Sequence, residues 1–270
     1  MAAGIAPRVT DFEGFKALAL ELLDGWDAYA NTGDEVKLGQ RGKKVDLARF
    51  ISVWGLSNHV HRLGPPAMRM MEDGLAIESF PLIRAMYEGA LTAVWLAQNT
   101  DAAAAFVNRE TDSRAALADT LAKAQEPWFR DRADDFRGDL TKMDSASNAQ
   151  AKHFEQLCND LNPGGADAYV HYRLLSRYSH AAPEIVDRYV MLGDGESPPT
   201  LRTVPNDVAE IRGLGGFYLT SSLVWAGAAT DYIDPNRQRR SETRRAAKAI
   251  GIPRDLHLTA AAIRRTRKKR

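Results

Sequence analysis

Two residues suited to phosphodiester chemistry share one predicted helix, residues 167–182. Arg173 and His180 have six residues between them, a separation of two helical turns, so their side chains are predicted to project from one face. A guanidinium can bind a phosphate, and an imidazole, which titrates near neutral pH, can move protons at the 2′-hydroxyl of RNA. This spacing makes Arg173 and His180 a candidate catalytic pair.

The same face carries three further side chains, those of Tyr169, Tyr172 and Ser176. Two structural interpretations stay open beside the catalytic one. The stripe can be an ordinary polar outer surface, or His180 can cap the last carbonyl groups of its own helix. A third interpretation is a helical pocket for a small ligand, lined by Tyr169 and Tyr172.

A second helix, predicted over residues 79–99, is apolar almost all round and is therefore expected at the centre of the fold. Arg84 and Glu88 are its only charges between residues 82 and 97, and they lie four apart on one face. Because an unpaired buried charge costs several kcal/mol, they are expected to pair with each other or with a neighbouring helix. The functional alternative is that they support an active site by positioning residues of another helix.

Two sequence runs carry a resemblance to a known family. The run GLAIESFPLIRAMYE, residues 74–88, and the run YRLLSRYSH, residues 172–180, resemble an uncharacterised bacterial helical family that is known as a domain of unknown function. That family combines a leucine-arginine-x-x-x-glutamate helix with a later tyrosine-x-x-leucine-serine-x-x-x-histidine helix. The similarity covers roughly residues 45–235.

The second run is also similar to the arginine–histidine signature of HEPN domains, which are helical bundles that often act as metal-independent endoribonucleases in toxin and phage-defence systems. The resemblance implies that Arg173 holds the scissile phosphate and that His180 is the general acid or base. Arg84, Glu88, Tyr172 and Ser176 would support this pair. HEPN proteins often work as dimers, so a homodimer is one expectation. This chain departs from the signature at residue 174, where a leucine replaces the usual polar residue.

Other groupings give weaker signals. His59 and His61 are two residues apart, which on a helix points them to opposite sides and argues against a shared metal. His153 and Cys158 have no further ligands at metal-binding spacing. The sequence therefore predicts no metal and no cofactor, and Cys158 is expected to be a structural thiol.

Charge is distributed unevenly along the chain. Residues 237–270 contain 13 Lys or Arg and two acids, a net charge of +11, whereas residues 1–236 carry −10. This predicts an acidic helical domain over residues 1–236 and a basic tail, partly disordered or holding short helices, over residues 237–270. The tail is expected either to bind RNA, another nucleic acid or the acidic face of the body, or to be a solvated terminus that aids solubility. The candidate nucleic-acid-binding residues are Arg239, Arg240, Arg244, Arg245, Arg264, Arg265, Arg267, Lys268, Lys269 and Arg270.

Helical periodicity predicts an all-α fold, a single bundle of about seven to nine helices with a basic C-terminal extension. The sequence Gly64-Pro65-Pro66 is expected to end a helix over residues 45–63. Residues 145–161 and 206–233 are predicted helices, residues 189–205 a small hairpin or an ordered loop, and two short helices are expected to flank residues 251–253.

Several features indicate a soluble, cytoplasmic protein. The single cysteine, Cys158, excludes an intrachain disulfide, and residues 1–15 lack the apolar core of a signal peptide. Residues 213–230 are uncharged but include four glycines, which favours a closely packed buried helix over a membrane span. The main functional alternative to a ribonuclease is a non-catalytic interaction module whose basic tail binds nucleic acid or an acidic partner.

Overall fold

The computed structural model describes residues 9–31, 47–138, 141–193, 195, 198–206, 208–234 and 236–267. Within these residues the chain forms thirteen helices and four two-residue strands, so the all-α prediction is confirmed. The helices are α1 (Phe12–Ala30), α2 (Leu47–Glu72), α3 (Phe80–Gln98), α4 (Ala102–Ala122), α5 (Pro127–Asp131), α6 (Ala133–Arg137), α7 (Asn148–Lys152), α8 (Phe154–Asn159), α9 (Gly165–Arg177), α10 (Pro183–Arg188), α11 (Val208–Ile233), α12 (Arg240–Ile250) and α13 (Ala260–Arg267). The strands are β1 (Leu161–Asn162), β2 (Val190–Met191), β3 (Thr200–Leu201) and β4 (His257–Leu258).

The core is built around α3, which packs against both α2 and α11. Residues 90–97 of α3 are all buried, as the nearly continuous apolar pattern predicts. Glycines bring α11 close to its neighbours: a Cβ at Gly215 would lie 2.7 Å from Met71 Sδ, and one at Gly216 would lie 3.0 Å from Phe15 Cβ. The uncharged stretch of α11 is thus a core helix, and none of the described helices is long and apolar enough to cross a membrane.

Several predicted helix ends are wrong. Helix α2 continues through Pro65 and Pro66 to Glu72. Both prolines are exposed, and Gly64, which precedes Pro65, has no Cβ to clash with the Pro65 ring, so the helical conformation is less costly at Gly64 than usual. The predicted helix over residues 145–161 is interrupted by His153, whose backbone is extended and which separates α7 from α8. Such interruptions raise the helix count above the predicted seven to nine.

The basic C-terminal segment is folded over residues 237–267. Helix α12 packs on α11 and α1, and β4 pairs antiparallel with β1, placing Leu258 opposite Leu161. The predicted pair of short helices around residues 251–253 is therefore confirmed. The hairpin alternative for residues 189–205 is also confirmed, because β2 and β3 pair antiparallel.

A buried arginine anchors the start of α12. The Arg239 side chain, 2% exposed, donates from Nη1 to His61 Nε2 at 2.9 Å and from Nη2 to the Leu22 carbonyl at 2.6 Å. It also forms an ion pair of 2.6 Å with Glu242. The His61 ring stacks on Trp26, with 4.1 Å between ring centroids. This Arg239 network joins α1, α2 and α12.

The network fixes His61 in one neutral tautomer. Nδ1 lies 2.7 Å from the Ser57 carbonyl, which can only accept, so Nδ1 carries the hydrogen and Nε2 accepts from Arg239. Burial, and then the positive charge of Arg239, hold the pKa of His61 well below its usual value. Protonated His61 would place a second donor against the guanidinium.

The stability of the fold is therefore expected to fall on acidification below about pH 6.5, the pKa of an unfolded histidine. Below that pH His61 is protonated in the unfolded chain and stays neutral in the folded chain. The free energy of unfolding therefore decreases by up to about 1.4 kcal/mol for each unit by which the pH falls. Above about pH 6.5 this contribution is complete and constant. Urea denaturation between pH 5 and 8 measures the slope. His61→Gln should reduce the slope by one proton, whereas His59→Gln, at an exposed position, should retain it; equal slopes for both variants would contradict the argument.

Candidate functional site

Helix α9 lies on the body through a small buried face. Ala168 and Leu175 are buried, and the Tyr87 hydroxyl of α3 donates to the Ala168 carbonyl at 3.1 Å. His171 Nδ1 lies 2.7 Å from the Tyr218 hydroxyl of α11, and burial lowers the pKa of this histidine. Arg173 and the other residues on the far side of α9 are exposed. The helix thus presents its outer face to solvent on a rigid support.

Aromatic rings and guanidinium groups meet along α9. Tyr172 accepts a hydrogen bond from Arg84 Nη2, and the Arg84 guanidinium carbon lies 4.8 Å from the Tyr172 ring centroid. The Tyr172 ring lies 4.5 Å from Phe154 and 6.0 Å from Tyr169, measured between centroids. The Arg173 guanidinium lies 6.0 Å from the centroid of Tyr169. We call these five residues, Arg84, Phe154, Tyr169, Tyr172 and Arg173, the aromatic–arginine cluster.

The predicted helix carrying Arg173 and His180 ends earlier than expected. Regular α-helix stops at Arg177, and the next two amides, of Tyr178 and Ser179, bond to carbonyls three residues back. His180 therefore lies beyond the helix, so helical periodicity no longer fixes its direction relative to Arg173. Its side chain is exposed. Ser176 hydroxyl donates to the Tyr172 carbonyl at 2.8 Å, which is a contact within the helix.

Arg84 and Glu88 contact different neighbouring helices. Arg84 contacts α9 through Tyr172, whereas Glu88 pairs with Arg109 of α4 at 3.5 Å. The expectation that each charge ties α3 to a neighbouring helix is met, and the intrahelical pair does not form. Glu88 and Arg109 line a groove of about 600 Å³ between α2, α3 and α4, and His59 also lines it.

Comparison with protein families matches a family of unknown function, DUF5677, to residues 53–197, just over half of the chain. The chain belongs to this family. The matched segment runs from α2 to the β2–β3 hairpin and contains the whole aromatic–arginine cluster and His180. No curated protein and no solved structure matched the chain.

The basic C-terminal segment lies outside the DUF5677 match, and its cations differ in their availability. Arg239 is buried, and Arg265 binds the buried carboxylate of Asp160 through both terminal nitrogens, so neither is free for nucleic acid. Trp95 Nε1 donates to the same Asp160 at 3.0 Å. Arg245 is exposed but pairs with Glu21 at 2.6 Å. Arg240 is partly buried, Arg244, Arg264 and Arg267 are exposed, and Lys268, Lys269 and Arg270 lie outside the described residues.

The described part of the chain contains no group of three or more histidine, cysteine or acidic side chains placed to hold a metal ion. Cys158 is buried, and burial, with a smaller contribution from Glu88, raises the pKa of its thiol to about 12. Because the thiolate is the nucleophilic form, Cys158 is a structural thiol at neutral pH.

Three residues that contact the predicted site residues or lie on the helix that carries them were not predicted from the sequence. Phe154 packs against Tyr172, Arg109 pairs with Glu88, and His171 contacts Tyr218. Each contact joins residues of different helices, and periodicity within one helix carries no signal for it. The one local hint was His171 itself, a histidine next to Tyr172 on a helix already singled out.

Proposed function

We propose that this DUF5677 protein is a HEPN-like, metal-independent endoribonuclease of the toxin or phage-defence type, with Arg173 and His180 as its catalytic residues. The observation that carries the proposal is the aromatic–arginine cluster along α9, on a helix that is followed three residues after its end by the exposed imidazole of His180. Aromatic faces stack on unpaired bases, and guanidinium groups bind phosphates, so this surface suits single-stranded RNA. The similarity of residues 172–180 to the HEPN signature supports the assignment of Arg173 and His180 as the residues that cleave the RNA.

The reaction follows from the two side chains. His180, as general base, takes the proton of the 2′-hydroxyl while the 2′-oxygen attacks the phosphorus. The bond from phosphorus to the 5′-oxygen breaks, and a proton from water or from the imidazole of a second copy goes to that oxygen. The products are a 2′,3′-cyclic phosphate and a 5′-hydroxyl. Arg173 holds the phosphate and stabilises the added negative charge.

Other residues hold Arg173 and its neighbours in place without taking part in the reaction. Arg84 bonds to the Tyr172 hydroxyl, and Phe154 packs on the same ring, so Tyr172 is held on two sides next to Arg173. Ser176 bonds to the Tyr172 carbonyl and stabilises the last turns of α9. Glu88 contributes at a distance, by fixing α4 against α3 through Arg109.

The exposed cations of α12 and α13 are expected to add affinity for RNA without reading its sequence. Each Lys or Arg that contacts a phosphate releases counterions from the strand, so binding weakens as salt rises. Replacing Arg244, Arg264 and Arg267 together by glutamine should weaken RNA binding at low salt and flatten the plot of log affinity against log salt. Fluorescence anisotropy of a labelled single strand measures both quantities. An unchanged slope would show that these cations do not contact RNA.

A non-catalytic interaction module is the second candidate, and one observation favours it. Arg239, Arg254 and Arg265 of the basic segment are engaged within the fold, so part of its charge serves to attach it to the body. The remaining exposed cations can then dock nucleic acid or an acidic partner without chemistry. The two candidates differ in whether RNA is cut.

The deciding experiment incubates the full chain with end-labelled single-stranded RNA in a buffer containing EDTA. Cleavage with a cyclic phosphate on the 5′ fragment is the expected result, and a matched strand with 2′-deoxy sugars should stay intact because it lacks the nucleophile. Binding of RNA without cleavage would overturn the ribonuclease proposal in favour of the interaction module. Cleavage of both strands would overturn the 2′-hydroxyl mechanism.

A further inference from the structure

A second cavity, outside the DUF5677 match, lies in the basic C-terminal segment. It has a volume of about 360 Å³, near the small end of ligand sites in proteins. The end of α11, the start of α12 and the loop before β4 enclose it. Its polar lining is formed by Asp231, Tyr232, Arg237, Arg240, Arg254, Asp255 and His257.

Both carboxylates of the lining pair with the same arginine. Arg254, 8% exposed, forms ion pairs with Asp231 and with Asp255, and its Nε donates to Thr243 Oγ1 at 2.7 Å. Asp231 also accepts from the Arg239 backbone N–H at 3.2 Å. Arg254 is thus the ion-pair partner of both acids, and neither acid forms an ion pair with Arg237 or Arg240.

Those other cations are Arg237 and Arg240. Within the part of the chain that the structure describes, neither side chain forms an ion pair with a carboxylate, and the buried Nε of Arg240 has no hydrogen-bond partner. With three arginines against two aspartates, the lining is positively charged even when His257 is neutral.

The backbone at Arg237 adds an independent observation. Its φ of 48° places it in the left-handed region, where Arg237 is the one non-glycine residue of the described chain. A side chain there is strained, and such strain tends to persist where function requires it. Tyr232 and His257 complete the rim, with 3.3 Å between the Tyr232 hydroxyl and His257 Nδ1.

We propose that this cavity binds the phosphate group of a small molecule, with Arg237 and Arg240 as its cationic ligands. A guanidinium fork matches the oxygens of a phosphate, and two such forks offer a phosphate more hydrogen-bond donors than one arginine can. Tyr232 and His257 supply further hydrogen-bonding groups at the edge. The site is separate from α9 and stands independently of the ribonuclease proposal.

Isothermal titration calorimetry on the full chain tests the site with inorganic phosphate and with adenosine 5′-monophosphate, at constant ionic strength maintained with chloride. Either probe is expected to bind and to raise the thermal midpoint. Tighter binding of the nucleotide would identify a phosphate ester as the ligand class, and equal binding would identify the phosphate group alone. If neither probe binds, the proposal is overturned.

Three variants locate the binding. Arg240→Gln and Arg237→Gly should each weaken phosphate binding by about tenfold or more, since each removes a charged hydrogen-bonding partner. Lys123→Gln removes an equal charge from the exposed end of α4 and should bind phosphate like the parent protein. Glycine adopts the left-handed conformation without strain, so Arg237→Gly should keep the thermal midpoint of the ligand-free protein while losing the phosphate-induced shift. Equal weakening by all three variants would show only general charge attraction and overturn the site.

Discussion

Replacing His180 by glutamine is expected to lower the rate of RNA cleavage at least about 100-fold and to leave the thermal midpoint unchanged. Glutamine retains hydrogen-bonding capacity but cannot exchange a proton near neutral pH, so the variant loses general acid–base catalysis. The stability should not change, because the imidazole is exposed and lies outside the regular helix. Initial rates on end-labelled RNA, together with thermal denaturation, measure both outcomes.

Matched variants separate catalysis from binding. His59→Gln changes another exposed histidine, at the edge of the groove between α2 and α4, and should cleave RNA at the parent rate. Arg173→Gln should lower cleavage, and Arg173→Lys should recover part of it, because lysine restores the charge without the planar fork. Parent-like cleavage by His180→Gln would end the catalytic assignment, whatever its effect on RNA binding.

Tyr172→Phe provides a finer test of positioning. It removes the hydroxyl that accepts from Arg84 but keeps the ring that contacts Phe154 and Tyr169. If the Arg84 contact only stabilises the fold, the thermal midpoint should fall and cleavage by the folded protein should be unchanged. If it positions the site, kcat should fall while KM for RNA stays constant, since base stacking remains.

Sequence periodicity predicted the long helices well because their burial is simple. Helix α3 packs against neighbours around most of its circumference, and its apolar residues continue along its whole length. Helix α1 buries one stripe, and the 3–4 spacing of Phe12, Phe15, Leu22 and Trp26 shows it. Short helices such as α7 and α8 were less predictable, because a single extended residue, His153, separates them.

The candidate site was only partly predictable, because its geometry depends on where α9 ends. Pro183 holds Ala182 in an extended conformation, as expected for a residue before proline, but regular helix already stops at Arg177. No glycine or proline marks that earlier end. The contact between Arg84 and Tyr172 is likewise a tertiary feature, set by how α3 and α9 pack and not by either sequence run alone.

The amino-acid composition predicted the positive net charge of the basic segment but not how the segment folds. A run with net charge +11 is typical of a solvated tail, yet its arginines here meet acids and carbonyls of the body. Asp160 pairs with Arg265, and the Leu22 carbonyl accepts a hydrogen bond from Arg239. Such pairing needs partners far apart in sequence, and composition does not reveal them.

Arg239→Ala is accordingly expected to lower the free energy of unfolding by about 3–5 kcal/mol, although it changes one residue in a segment rich in arginine. Truncation leaves the Leu22 carbonyl, His61 Nε2 and the Glu242 carboxylate without their shared donor, and empties a space that the side chain fills beside Trp26. Against a typical total stability of 5–15 kcal/mol, the loss is large, on the order of 10 °C in thermal midpoint.

Two comparisons show whether the loss comes from the buried network or from charge alone. Arg244→Ala removes an exposed cation of the same helix and should change stability by no more than about 0.5 kcal/mol. Adding Glu242→Gln to Arg239→Ala should recover part of the loss, because the unpaired carboxylate is then neutral, whereas Glu242→Gln alone should destabilise. Urea denaturation of the parent protein and the four variants measures each difference. If Arg239→Ala and Arg244→Ala behaved alike, Arg239 would be no anchor, and the C-terminal segment would have to be held by its apolar contacts and by the Arg254 and Arg265 ion pairs alone.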